Sequence, residues 1–271
     1  RRRRGAEEVP SVVNSWRKNE VGDYTMQGKV VLITGGARRV GAEIARRLHG
    51  LGAAVMIHHR SSVAEAQALA GELNRQREGS AALVQADLHD TAHLARLVEE
   101  TLRVFGRLDV LVNNASSFYP TAVGEIREQD WHDLMGTNLK APLFLSQAAA
   151  DALRHSHGAI VNIADIHAER PMKSYVVYSI AKAGLVALTK SLAHELGPNV
   201  RVNAVAPGPI LWPEDDPSFD DAERRRIVAH TLLKREGRAD DIARAVTFLV
   251  SDAPYVTGVV LPVDGGRSAS L

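Results

Sequence analysis

Tyr178 and Lys182 stand four residues apart at the start of a long apolar-periodic segment. On a helix that spacing puts both side chains on one face. A phenol beside an ammonium forms a proton-donor pair, because the positive charge favours phenolate and is expected to lower the tyrosine pKa from its unperturbed ~10. Thirteen residues before the tyrosine, Asp165 ends the apolar run Ala159-Ile160-Val161-Asn162-Ile163-Ala164. That run reads as a buried parallel strand, so the carboxylate is expected at its carboxyl end, where open α/β sheets place their ligands. Tyr-x-x-x-Lys alone describes many surface helices. The upstream strand and acid give it weight.

The elements that must position these groups follow from hydrophobic periodicity. Short apolar strands are expected at 30–34, 54–58, 81–86, 108–113, 159–164, 201–206 and 259–262. Amphipathic helices are expected at 40–51, 63–77, 91–105, 128–156 (broken), 175–196 and 240–250. This alternation predicts an α/β fold with a mostly parallel sheet of about seven strands, covered by helices on both faces. Residues 207–238 break the rhythm with Pro207, Pro209, Pro213 and Pro217 and the acidic cluster Glu214-Asp215-Asp216. They read as a long irregular substrate loop over the strand ends. Residues 1–25 show neither periodicity and read as a disordered extension or an upstream start, with residues 26–271 forming the domain.

Two features predict a cofactor. The turn Thr34-Gly35-Gly36-Ala37-Arg38-Arg39-Val40-Gly41 joins the first strand to the first helix. Glycine there permits a tight turn and lets backbone N–H groups approach a pyrophosphate at the helix N-terminus. The second strand then ends His58-His59-Arg60-Ser61. A carboxylate at that point would bind a ribose 2′-hydroxyl, whereas a guanidinium and a hydroxyl suit a 2′-phosphate, which favours NADPH over NADH. Asp87-Leu88 ends the third strand near the expected adenine, and Asn113-Asn114-Ala115 ends the fourth near a ribose.

Composition narrows the function classes. The chain has 271 residues, no cysteine and a net charge of +1. Without cysteine there is no disulfide, thiolate metal site or thiol nucleophile. This fits a reducing, cytoplasmic setting. The near-neutral charge argues against nucleic-acid binding, no apolar run suggests a membrane span, and the eleven histidines lack metal-ligand spacing, so no metal is expected.

Taken in order, Thr34-Gly35, Asp87, Asn113-Asn114-Ala115, Asn138, Tyr178-x-x-x-Lys182, Pro207-Gly208 and Asp264-Gly265-Gly266 resemble the short-chain dehydrogenase/reductase family from Gln27 to Arg267. The resemblance implies a single-domain Rossmann-type doubly wound sheet and a homotetramer. It also implies a catalytic set containing Asn138, Tyr178 and Lys182, with Pro207 and Gly208 near the cofactor. Two departures matter: Asp165 replaces the common serine, and Arg39 replaces a common glycine. With Asn114-Ala115-Ser116-Ser117-Phe118-Tyr119-Pro120 and His59-Arg60-Ser61, they resemble the pteridine reductase subgroup. That implies a catalytic Asp165, Tyr178 and Lys182, with Phe118 and the nicotinamide sandwiching a flat pterin ring. Ser116 and Arg39 would contact pterin or cofactor phosphate, and Arg267 would reach a neighbouring subunit's site.

The aspartate suits such a substrate on chemical grounds. A serine hydroxyl can donate to a carbonyl oxygen where negative charge develops. Reduction of a ring C=N adds hydride to carbon and a proton to nitrogen, and an acid beside Tyr178 can help relay that proton. Phe118 offers a flat apolar face for stacking. The expected function is NADPH-dependent reduction of a pterin, a dihydropterin or a dihydrofolate-like substrate. The alternatives are a reductase of a carbonyl such as a 3-oxoacyl thioester or a sugar, and a non-catalytic NADP-binding sensor. Leu185, Leu188, Leu192 and Leu196 are compatible with a subunit interface or with burial inside one subunit.

Overall fold

The computed structural model describes residues 25–212 and 219–269. The acids Glu214 to Asp216 and residues 1–24 lie outside the described residues. Seven strands form one parallel sheet: β1 Val30–Ile33, β2 Ala54–His59, β3 Ala81–Gln85, β4 Val110–Asn113, β5 Ala159–Ile163, β6 Arg201–Pro207 and β7 Val260–Val263. Their spatial order is β3-β2-β1-β4-β5-β6-β7. The order reverses direction between β1 and β4, and that switch point opens a crevice at the strand ends.

The sequence gives this sheet two buried faces. All four residues of β1 are buried, as a strand covered on both sides requires. Side chains alternate: Val31 and Ile33 enter one core with α1 (Arg39–Gly50), α2 (Val63–Gln76) and α8 (Ala239–Thr247). Leu32 enters the other core with α3 (Ala95–Phe105), α5 (Ala141–Ser156) and α6 (Val176–Leu196). Each fully buried Val, Leu or Ile contributes roughly 1.5–3 kcal/mol, so a Leu32→Ala cavity would be felt throughout the sheet.

Local signals end the helices. Gly106 closes α3 in the left-handed region at φ 76°, which glycine adopts without a steric penalty. The long helix expected at 128–156 is α4 (Glu128–Met135) and α5 joined through a π-turn over Gly136–Lys140. That wider turn places Asn138 inward with no exposed surface. The region 91–105 starts with a separate 3-10 turn, Thr91–His93.

One expectation needs correction. Residues 207–238 are not irregular throughout, because α7 (Asp221–Ala229) lies within them. The Asp220 side chain caps it by accepting from the Glu223 N–H at 2.8 Å, and Asp221 and Glu223 favour its N-terminal dipole. Ile227 is its one residue in the buried core, so α7 carries almost no apolar period for a sequence reading to detect.

α6 is 21 residues long and apolar enough to cross a membrane by length and composition. In this fold it is a core helix. Leu185, Leu192 and Leu196 are buried, and Leu188 packs partly against the same core. Leu185, Leu192 and Leu196 are therefore spent inside the subunit.

Candidate active site

The site begins where β5 ends. Asp165 continues the extended backbone and caps the short turn Ile166–Ala168. Its Oδ1 accepts the His167 N–H at 2.8 Å. Its Oδ2 accepts the Tyr178 hydroxyl at 2.7 Å. The strand end, the turn and the first turn of α6 thus converge on one carboxylate. The start of α6 is held in turn by Thr121, whose backbone N–H donates to the Ser174 carbonyl at 2.5 Å and whose hydroxyl accepts the Val177 N–H at 3.2 Å.

Lys182 is 2% exposed, and its Nζ donates to the Ile163 carbonyl at 2.8 Å. Burial pushes its ammonium down to about 8, against the pull of Asp165. The expected depression of the tyrosine does not occur here. Burial, the Asp165 charge and the bond to Asp165 push the Tyr178 phenol well above its ordinary value, with a bond to Ser116 opposing them. Burial acts first, the carboxylate touches the hydroxyl, and the ammonium sits 5.6 Å from the centroid of the tyrosine ring.

Asn138 takes up the far side of this arrangement. Its Oδ1 accepts the Ser116 hydroxyl at 2.6 Å, and its Nδ2 donates to the Ser117 carbonyl at 3.0 Å and the Leu134 carbonyl at 2.9 Å. The side chain therefore ties the loop after β4 to the π-turn.

An aromatic wall faces Tyr178. Phe118 stacks on Tyr175 with centroids 4.7 Å apart and meets Tyr178 edge-on at 4.8 Å. Phe219 lies 6.2 Å from Phe118, and Trp212 lies 5.8 Å from Phe219. Met172 packs against the same cluster. Such a wall fits a planar or apolar ligand group.

The other end is built around the β1–α1 turn. Gly35 has φ 59°, and a Cβ there would sit 3.0 Å from the Ala115 backbone. The Asn114 side chain donates to the carbonyls of Thr34 and Gly35 at 2.9 and 3.0 Å. A Cβ on Gly41 would come within 2.3 Å of the Gly35 carbonyl, so that position requires glycine. α1 has no side-chain cap and no acid in its first turn, which suits an anionic ligand.

His58 locks the turn to the sheet. Its Nδ1 accepts the Gly35 N–H at 3.1 Å, which leaves Nε2 to donate to the Ala86 carbonyl at 3.1 Å. Burial pushes its pKa down to about 4, so it is neutral at physiological pH. Although it stands in the His58-His59-Arg60-Ser61 run, His58 faces the turn and the sheet rather than solvent or phosphate. His59 is buried beside it with Nδ1 unpartnered, while Arg60 and Ser61 are exposed at the strand end.

One cavity of about 650 Å³ joins the two ends. Gly35, Arg38, Arg39, Val40, His59, Arg60, Ser61, Asp87, Leu88, Asn114 and Ala115 line it, as do Ser116, Phe118, Asp165, Tyr178, Lys182, Pro207 and Gly208. Asn138 stands behind Ser116, outside the lining. Arg39 adopts φ 53°, the conformation a glycine would take freely, and its Nη2 donates to the Trp212 carbonyl at 2.9 Å. Arg267 lines the cavity of its own subunit and donates to the Ile227 carbonyl at 2.8 Å.

The sequence reading missed Trp212, Phe219, Met172, His167, Glu223, Arg226 and Ile227, all of which line the cavity. The aromatic pair Trp212 and Phe219 in a proline-rich segment was the available signal for two of them.

Comparisons with known proteins place this architecture. A short-chain dehydrogenase family model described as enoyl-(acyl carrier protein) reductase matches residues 35–268. Pteridine reductase 1 of Leishmania tarentolae is 38% identical, covering 88% of this chain and 96% of its own. A 3-oxoacyl-[acyl-carrier-protein] reductase of Staphylococcus aureus is 35% identical, with coverage of 88% and 97%. Among solved structures, a blue fluorescent protein from a metagenomic library in complex with NADPH aligns with TM-score 0.84 and 37% identity, over 90% of this chain and 99% of its own. The chain belongs to the short-chain dehydrogenase/reductase family of oxidoreductases.

Proposed function

We propose that this protein is an NADPH-dependent pteridine reductase, acting on a pterin or dihydropterin ring and on dihydrofolate-like substrates. The observation that carries the reading is the 2.7 Å bond from the Tyr178 hydroxyl to Asp165, set against the Phe118 wall. A serine in place of Asp165 would donate to a carbonyl oxygen. A carboxylate accepting the phenol instead suits delivery of a proton to ring nitrogen.

The lining fits the cofactor. The uncapped α1 and the Gly35 turn suit the pyrophosphate, while Arg60 and Ser61, exposed at the end of β2, suit the 2′-phosphate. Asp87, Leu88, Asn114 and Ala115 would bind the adenosine half, and Lys182, Pro207 and Gly208 the nicotinamide half. Bound NADPH supplies the hydride. The chain supplies the rest: the raised Tyr178 pKa keeps its proton in place until ring nitrogen becomes basic. The Lys182 charge then stabilises the phenolate left behind. Asp165 orients the phenol, and Asn138 holds Ser116 beside it.

A second reading, reduction of a 3-oxoacyl thioester, is favoured by the likeness to the Staphylococcus aureus enzyme. A substrate panel with NADPH separates the two. Turnover of a dihydropterin is the expected result. Turnover of 3-oxoacyl thioesters alone would move the assignment to the second reading, and NADPH binding without any turnover would favour a sensor.

The assembly is a homotetramer in the cytoplasm on this reading. Exposed apolar side chains on Trp131 of α4, Leu143 and Phe144 of α5 and Ile180 of α6 support an interface. Light scattering on the purified protein should give four times the chain mass; a monomer at micromolar concentration counts against it.

A further inference from the structure

Between the two ends of the site the cavity wall carries a polar cluster that the proton chemistry leaves unused. His89, Ser117 and Thr137 line the cavity there. His89 follows Asp87-Leu88 after β3, and the Asp87 Oδ1 accepts its backbone N–H at 3.0 Å. The His89 Nε2 lies 3.0 Å from Oδ1 of Asp133 on α4 and 3.1 Å from the Thr137 hydroxyl in the π-turn. An ionised carboxylate can only accept, so Nε2 carries the proton. Gly136 makes room for the ring, since a Cβ there would come within 2.6 Å of the His89 Nδ1. Asp133 also accepts the Tyr119 hydroxyl, and burial together with that bond pushes the phenol up to about 12. The Ser117 hydroxyl reaches the Thr137 hydroxyl at 3.3 Å and the Asp133 Oδ1 at 3.5 Å.

These bonds bracket the aromatic wall. Ser117 and Tyr119 flank Phe118 in the chain, and both end on the carboxylate that His89 holds. The turn after β3, the loop after β4 and helix α4 therefore meet at Asp133. The His89 and Asp133 side chains are 33% and 30% exposed, and polar pairs this open to water add little to global stability. Their weight is geometric, because they connect a turn on the adenosine side with the ring that meets Tyr178. We propose that His89 and Asp133 are positioning residues that couple the adenosine half of the cofactor site to the Phe118 wall. A ligand that settles residues 87–89 then also settles residues 117–119, before any substrate arrives. The inference rests on the adenosine placement beside Asp87 and Leu88 proposed above, and it holds for either substrate reading.

Adenosine 2′,5′-bisphosphate tests it, because this probe carries the adenosine and the 2′-phosphate but no nicotinamide that could touch the wall. Amide hydrogen exchange on the full chain, with and without saturating probe, reads the coupling. In the native protein exchange should slow at 87–89 and, by about fivefold, at 117–119, the low end for couplings between sites. In His89→Ala and in Asp133→Ala the slowing at 87–88 should persist while that at 117–119 is lost. His89→Gln should restore part of it, since its side-chain N–H can donate from nearly the place of the imidazole Nε2. A purely structural role would speed exchange at 117–119 equally with and without the probe and leave the effect of the probe intact. That result overturns the inference alone, as does slowing confined to 87–89 in the native protein. Absence of slowing at 87–89 removes the adenosine placement and the inference with it.

Discussion

Lys182 lies one helical turn from Tyr178, yet its ammonium hydrogen-bonds the Ile163 carbonyl while the phenol hydrogen-bonds Asp165. The two side chains share a face of α6 without sharing a proton. In this arrangement burial and then the carboxylate hold the tyrosine protonated, and the lysine acts through its charge from a short distance.

The Asp165–Tyr178 bond gives the first prediction. Tyr178→Phe should lower kcat for dihydropterin reduction by about 10³-fold, within the range for loss of a general acid. Asp165→Ser should lower it by about 10²-fold while leaving NADPH affinity nearly unchanged. Steady-state kinetics and a fluorescence titration of NADPH measure both. Pterin turnover undiminished in Asp165→Ser would remove the carboxylate from the mechanism.

Lys182 sets a pH dependence of stability. Its folded pKa is lowered from 10.5 to about 8 by burial. Between those values the unfolded chain binds the proton that the folded chain has lost, so stability should rise as pH increases from about 8 towards 10.5. Below about 8 the cost of the buried charge is fully present. Lys182→Met removes it, so its stability relative to the native protein should be greatest near pH 7 and decline by pH 10. Chemical denaturation at a series of pH values reads this difference, and a flat difference would contradict the buried charge.

His58 acts at the acid end. Its folded pKa of about 4 lies below its usual 6.5, again through burial. The unfolded chain takes up a proton first as pH falls from 6.5 to 4, so this residue should cost stability through that window. His58→Gln keeps a hydrogen-bonding side chain without titrating. Its melting temperature should fall less than that of the native protein between pH 6.5 and pH 4.

Arg60 bears on cofactor choice. Arg60→Glu puts a carboxylate at the end of β2, where it would repel a 2′-phosphate and accept from a 2′-hydroxyl. The ratio of kcat/KM for NADPH over NADH should drop by about tenfold or more, given the strength of charge-assisted hydrogen bonds. An unchanged ratio would show that the phosphate binds elsewhere.

Much of this was legible residue by residue. The apolar runs around Val31, Leu111 and Ile160 are short and rich in β-branched residues, and they became strands buried on both faces. The break expected in the helix near Asn138 became a π-turn. The segment after Pro207 was harder. α7 holds itself by a cap and a dipole rather than by an apolar stripe, and Trp212 and Phe219 join the site only because the chain folds back across the strand ends.

The sequence by itself determined the order of strands and helices, the glycine turn and the spacing of Asp165, Tyr178 and Lys182, because periodicity and turn chemistry act over a few residues. Only the tertiary structure decided which charge meets which. Arg39 reaches a carbonyl 173 residues away, His58 is neutral because burial lowers its pKa, and Arg267 turns into its own cleft. Such pairings depend on distance through space and on exclusion of water, and neither quantity is written in the spacing of residues along the chain.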